Sequence, residues 1–175
     1  MKNDIFIAYY SWSGNTRKIA ELIKKETGGT LFEIEPAQPY TTNYSAAVKQ
    51  AREEIRSGFQ PELKAMPADT KLYSIVFLGT PIWCSTMAPP LASFIDRCNL
   101  ENKTVVPFHT HGGGGAGSFE RDIAIMCPNA TVKQGFGAYN RGDSHTLAAI
   151  RDYLRSMGLS NPKIHHDRHE NNSLL

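Results

Sequence analysis

A chain of 175 residues with 41% hydrophobic and 21% charged residues has the composition of a soluble globular protein of about one domain, which excludes collagen-like, disordered and coiled-coil architectures. The 19 basic and 17 acidic residues leave a net charge of +2 with both signs interspersed, as in Lys24-Lys25-Glu26, so no basic stripe marks a nucleic-acid partner. No apolar run approaches the 18 or so residues of a membrane span, and Ile5–Tyr10 is too short for a secretory signal and lacks its small-residue cleavage site. Cys84, Cys98 and Cys127 form neither a CxxC pair nor a disulfide framework, which fits a reducing cytoplasm.

In chain order, Ile5–Tyr10 is a near-continuous apolar run, as expected of a strand buried on both faces. After the polar loop Ser11–Asn15, Ile19, Leu22 and Ile23 fall at helical spacing, and Gly28-Gly29 stop the helix. Thr30–Glu35 reads as a second strand whose two glutamates place it at a sheet edge. The long connection 36–71 carries a helical stripe of Tyr44, Ala47, Val48, Ala51 and Ile55, ended by Gly58 and Pro61. Ser74–Leu78 is the most apolar strand and the expected centre of the sheet, and Gly79–Met87 reads as a loop. Leu91, Phe94, Ile95 and Cys98 mark a helix that Pro89 and Pro90 begin. Thr104–Phe108 is a fourth strand, followed by a glycine run from 112 to 117. Ser118 is placed to cap a helix reaching Cys127. Thr131–Phe136 is a fifth strand, and Leu147, Ile150, Leu154 and Met157 make a last helix closed by Gly158. Residues 161–175 read as a polar tail. Its His165, His166 and His169 are a metal cluster by composition only, so no metal site is expected.

Strands alternating with helices call for a parallel α/β sheet covered on both faces. Ligands of such sheets bind beyond the carboxyl ends of the strands, where strand order reverses. Here those ends are 11–16, 80–87 and 110–117. The first offers hydroxyls, an amide side chain, a glycine and the free N–H groups of a helix start, the parts of a phosphate cradle or of an ordinary N-cap turn with Ser13 or Asn15 capping. It lacks the GxxxxGK[ST] of a Walker loop.

Ser11-Trp12-Ser13-Gly14-Asn15-Thr16 resembles the FMN-phosphate loop of the flavodoxin family, Thr/Ser-x-Thr/Ser-Gly-x-Thr, at every defined position. The resemblance extends through Phe32–Pro36, Phe77–Trp83 and Thr104–Phe108 and covers roughly residues 4 to 158. It implies a flavodoxin-like three-layer α/β/α sandwich, with a five-stranded parallel sheet of order 2-1-3-4-5 over residues 1–160 and a helical insert at about 37–71. It implies FMN as cofactor, with Ser11, Trp12, Ser13, Gly14, Asn15 and Thr16 around the phosphate. Thr80, Pro81, Ile82, Trp83 and Cys84 would then serve the flavin ring, Trp83 stacking on or edging it unless it folds back on the helix at Pro89. Cys84 reads as a small hydrophobe rather than a redox thiol. No glycine lies between Pro81 and Pro90 to supply the peptide that flips toward flavin N5 in many flavodoxins. Thr110, His111, Gly112, Gly113 and Gly117 form the expected second ring-binding loop, its glycines clearing space for main-chain N–H groups. The formal GxGxxG there follows the fourth strand and has no downstream ribose acid, so it is not a dinucleotide fingerprint. His111 is either a donor to the flavin or an exposed loop residue, and Trp12 either shields the flavin or lies over the insert.

The function expected is that of an FMN-binding electron carrier working between reductase and acceptor proteins. The alternative is an NAD(P)H-dependent FMN or quinone reductase on the same fold.

Overall fold

A computed structural model describes residues 4–159, so the His-rich tail lies outside the described residues. β1 (Ile5–Tyr9), β2 (Thr30–Glu33), β3 (Ile75–Trp83) and β5 (Thr104–His111) pair in parallel in the order β2-β1-β3-β5. Along β1, Ile5, Ile7 and Tyr9 face one side and Phe6 and Ala8 the other, and all five are buried. The first face is covered by α1 (Asn15–Thr27) and α5 (Thr146–Ser156), through Ile19, Ile23, Ile150 and Leu154. The second is covered by α2 (Tyr44–Ser57), α3 (Pro89–Arg97) and α4 (Phe119–Met126), through Ala47, Leu91, Phe94, Phe119 and Ile123. The result is the expected three-layer sandwich with β3 central and β2 at the edge. Glu26 on α1, 3% exposed, is paired at 2.9 Å with Arg151 on α5, which ties the first helix to the last.

Four elements depart from expectation. The segment after β3 is not a loop. The strand runs on to Trp83, turns through Cys84 and Ser85, and returns as β4 (Thr86–Met87), antiparallel to β3. Both turn residues have positive φ, 49° and 66°, the geometry that two-residue hairpins require to match strand twist. β5 extends to His111, because its last four residues find a partner in β7 (Phe136–Tyr139). The expected fifth strand is divided: β6 (Thr131–Val132) pairs with the start of β5 and β7 with its end, and neither spans Lys133–Gly135. Finally, Ser118 does not cap α4 through its hydroxyl, which lies 3.1 Å from Ser85 O and donates to the Asp122 carboxylate at 2.5 Å instead.

α2 is the only helix of the long connection, and it carries its own boundaries. The Asn43 side chain accepts from the Ala46 N–H at 3.0 Å. At the other end Gly58 adopts φ 68°, and the Phe59 N–H bonds Glu54 O at 2.9 Å, a Schellman-type close. Its inward face meets the sheet through two alanines, Ala47 and Ala51, which lets the helix axis come close.

Candidate functional site

The first loop leaves β1 and enters α1 through Gly14, whose φ of 86° is left-handed. No side chain caps the helix, so neither Ser13 nor Asn15 acts as the N-cap. Of the first-turn amides only that of Arg17 finds a side-chain acceptor, Ser11 Oγ at 3.2 Å. Nothing lies within 4 Å of the position a Gly14 Cβ would take. Ser13 is exposed beside this start. The arrangement is an open anion cradle: free N–H groups, the positive end of a helix and a hydroxyl. Thr16 is not part of its surface. It is buried, and its hydroxyl shares a 2.9 Å hydrogen bond with that of Thr110 on β5, which locks the first loop to the third.

Trp83, at the end of β3, neither folds back on α3 nor stands alone. It packs edge-on against Tyr40, with ring centroids 4.9 Å apart, against Tyr10 at 5.7 Å and against Trp12 at 6.2 Å. Trp12 donates its indole N–H to Thr41 O at 3.1 Å and packs on Tyr44, so it lies against the connection that carries α2. The Tyr40 hydroxyl bonds the Glu54 carboxylate, and burial with that neighbour drives its pKa far above the ordinary phenol value. Thr80 is fully buried. Its hydroxyl accepts from the Ala88 N–H at 3.0 Å and donates to Pro81 O at 3.0 Å, so it closes the hairpin rather than facing a ligand. Cys84 is exposed at the hairpin tip, because the tight turn leaves its side chain in solvent; it is not a packed hydrophobe.

The third loop is fastened to that hairpin. The Ser118 N–H donates to Ser85 O at 2.7 Å, and the Ser118 hydroxyl, 3.1 Å from the same oxygen, donates to Asp122 Oδ2 at 2.5 Å. Thr86 donates to Asp122 Oδ2 at 2.6 Å. Burial alone would raise the Asp122 carboxyl, but the Ser118 and Thr86 hydrogen bonds outweigh it and hold the group below the usual carboxylate range. A Cβ on Gly117, at φ 57°, would stand 2.1 Å from Ser85 O, so only glycine permits this contact. Gly117 is therefore a structural glycine and not a ligand-facing one. Gly113 donates its N–H to His111 Nδ1 at 3.0 Å, which leaves the proton of a neutral His111 ring on Nε2. Beneath it His109 is 5% exposed, and its Nδ1 has no partner. Burial, then the nearby His111, pulls the His109 pKa down to about 4.

The three loops enclose an open cavity of about 380 Å³. Trp12, Ser13 and Asn15 line it from the first loop, Pro81, Ile82, Trp83 and Cys84 from the second, and Thr110, His111 and Gly112 from the third. Ser11, Gly14, Thr16, Thr80, Gly113 and Gly117 do not line it. Its remaining walls are Tyr44, Val48, Ala51 and Arg52 of α2, with Asn140 after β7, none of which sequence reasoning assigned to a site. The helical stripe foretold α2 itself but not its place at the cavity: its alanines bring the helix close, and the residues flanking them then border the cavity. Asn140 carries only a weak signal, as a turn residue at φ 49°. A second cavity of about 390 Å³ lies behind Ser11, but its charged walls satisfy one another, Arg17 with Glu33 and Lys64 with Glu35. Among the described residues no cluster of His, Cys, Asp or Glu is arranged to hold a metal, and no helix is long and apolar enough to cross a membrane.

The sequence profile of the flavodoxin family matches residues 4–153. The chain belongs to the flavodoxin family. Among solved structures, this flavodoxin-family chain is similar to a protein of Bacteroides eggerthii described as a flavoprotein, at 30% identity over 89% of this chain and 98% of that one, with a TM-score of 0.78. A second, from Bacteroides uniformis, is 23% identical over 89% of this chain and 99% of that one, with a TM-score of 0.79. A flavoprotein of Lactobacillus acidophilus in complex with FMN is 24% identical over 81% of this chain and 95% of that one, with a TM-score of 0.67. No curated protein matches the sequence. The strand order and layers follow the flavodoxin plan, with its fifth strand divided.

Proposed function

We propose that the protein binds FMN in the three-loop cavity and works as a flavodoxin-type electron carrier between redox proteins. The observation that carries this reading is the uncapped start of α1 beside Ser13, at one end of a cavity whose other end is aromatic and glycine-lined. Family membership and the FMN complex of the Lactobacillus acidophilus flavoprotein support it. When bound, FMN supplies the electron-transfer chemistry, and the protein supplies binding, orientation and electrostatics. In this reading the α1 amides and Ser13 hold the phosphate. Trp83 of the second loop borders the ring on one side, and Gly112 and the His111 Nε2–H border it on the other. The cavity lining contains no carboxylate, so no fixed negative charge opposes the negative charge gained on reduction.

The test is a fluorescence titration with FMN and with riboflavin. FMN binds tightly and riboflavin markedly less well. Ser13→Ala weakens FMN by about 1.5–3 kcal/mol, the scale of one hydrogen bond to a charged group, and leaves riboflavin unchanged. Equal affinity for the two ligands removes the phosphate assignment.

The open mouth, with Arg52 as its one charged lining residue, favours a second reading, an NAD(P)H-dependent FMN or quinone reductase. Steady-state turnover of NAD(P)H and a quinone well above that of free FMN supports the reductase, and none supports the carrier.

A further inference from the structure

We infer that the outer flank of α2 is the docking surface for an acidic one-electron redox protein. The electron that crosses rests on the FMN reading above; the surface itself rests on the charge and exposure of α2. Val48 and Arg52 border the cavity. At about 100° per residue, Arg56 and Lys49 follow Arg52 within roughly 60° around the helix, and all three are exposed. The positions three and four away from Arg52 are Lys49, Val48, Ile55 and Arg56, so no carboxylate shares its ridge. Glu54 is turned to the opposite flank, where it takes hydrogen bonds from Tyr40 and Gln50. Glu53, exposed at the patch edge, is four positions from Lys49 and three from Arg56, so the flank carries three cations against one carboxylate. Among the described residues none of the three cations forms an ion pair, whereas Arg17, Arg151 and Arg155 all do.

Two exposed aromatics complete the rim. Tyr44, 70% exposed, begins α2 and packs on Trp12; Tyr139, 62% exposed, packs on His111 across the mouth. Exposed tyrosine beside arginine is the composition of interface centres, and an excess of one sign of charge around a redox site steers the partner's approach. Lys49 to Arg56 spans about 10 Å along the helix and has no concave wall of its own, which suits the flat face of a protein better than a nucleotide.

The test uses the full chain loaded with FMN, with acidic cytochrome b5 and basic cytochrome c as acceptors. Dithionite reduces the flavin, which then gives one electron to each ferric haem. Stopped-flow rates should favour cytochrome b5 at low salt and fall about tenfold between roughly 10 and 200 mM salt. Lys49→Glu with Arg56→Glu, neither of which lines the cavity, should reverse the preference while FMN affinity holds. A preference for cytochrome c, a rate to cytochrome b5 that rises with salt, or a double variant equal to wild type overturns the proposal. So does saturable reduction by NADPH that the double variant impairs while transfer to cytochrome b5 is untouched; the surface then belongs to a nucleotide. FMN content is measured first. A chain that takes up no FMN fails the cofactor reading alone, and docking is still read from salt-sensitive shifts of α2 amides on adding ferric cytochrome b5.

Discussion

Trp83 has two tasks that substitution can separate. Its ring fills the space between Tyr10, Tyr40 and Trp12 and also borders the cavity. Trp83→Ala should lose about 3 kcal/mol of stability as well as FMN affinity. Trp83→Phe should keep stability within roughly 1–2 kcal/mol and leave bound FMN more fluorescent. Denaturant unfolding and flavin emission measure the two effects, and full quenching in Trp83→Phe would make the residue a packing residue alone. His109 answers to pH. Its neutral form is favoured in the fold, so the unfolded chain binds the proton more strongly. Its contribution is complete above pH ~6.5 and is lost as pH falls toward about 4, a loss on the order of 3 kcal/mol. His109→Phe, which keeps a flat ring over Gly137, should flatten stability between those pH values. An unchanged profile would show that the orphaned Nδ1 finds a proton acceptor on charging.

At the scale of elements, the hairpin β3–β4 and the third loop act as one piece, joined by Ser118, Asp122 and the close seat of Gly117 on Ser85. Gly117→Ala must push the two apart. It should cost about 1–3 kcal/mol and weaken FMN, while Gly113→Ala, with open space at its Cβ, strains only the backbone and costs less. Equal losses would show that the staple does not govern the site. The hairpin was not legible in the sequence because Cys84-Ser85 lacks the Asn-Gly or Asp-Gly signature; the pairing of β3 with β4 and the bond from Ser118 N–H to Ser85 O support the turn instead. The divided fifth strand was hidden for a related reason. Thr131–Phe136 has strand formers at its ends around Lys133-Gln134-Gly135, and pairing with the two ends of β5 fixes the break there. The buried strands and amphipathic helices were legible because apolar periodicity alone specifies them. That the first loop borders a cavity was legible from its composition, though only Trp12, Ser13 and Asn15 of its six expected residues line it. The α2 wall was not, since a stripe of Tyr44, Val48 and Ala51 reads the same whether it covers core or cavity.

Over the whole molecule, the absence of carboxylates around the cavity and the net charge of +2 act together on redox energetics. One unit charge a few ångströms away in a water-like medium is worth ~1 kcal/mol, or ~40 mV for one electron. Lacking several repulsions, the bound FMN should have a second one-electron potential higher by on the order of 100 mV than in an acidic flavodoxin. Arg52→Glu, a change of two charges, should lower it by ~80 mV. A dithionite titration followed by absorbance measures both. A potential as low as that of the acidic proteins, or one unmoved by Arg52→Glu, would mean that loop geometry outweighs charge.

The self-contained boundaries of α2 bear on how such a molecule diversifies. Asn43 starts the helix, Gly58 stops it, and its fully buried residues are two small alanines, Ala47 and Ala51. Lys49 and Arg56, which do not line the cavity, can therefore drift without disturbing strand pairing, so a lineage can rewrite the charge of this flank on a single helix while the three loops stay as they are.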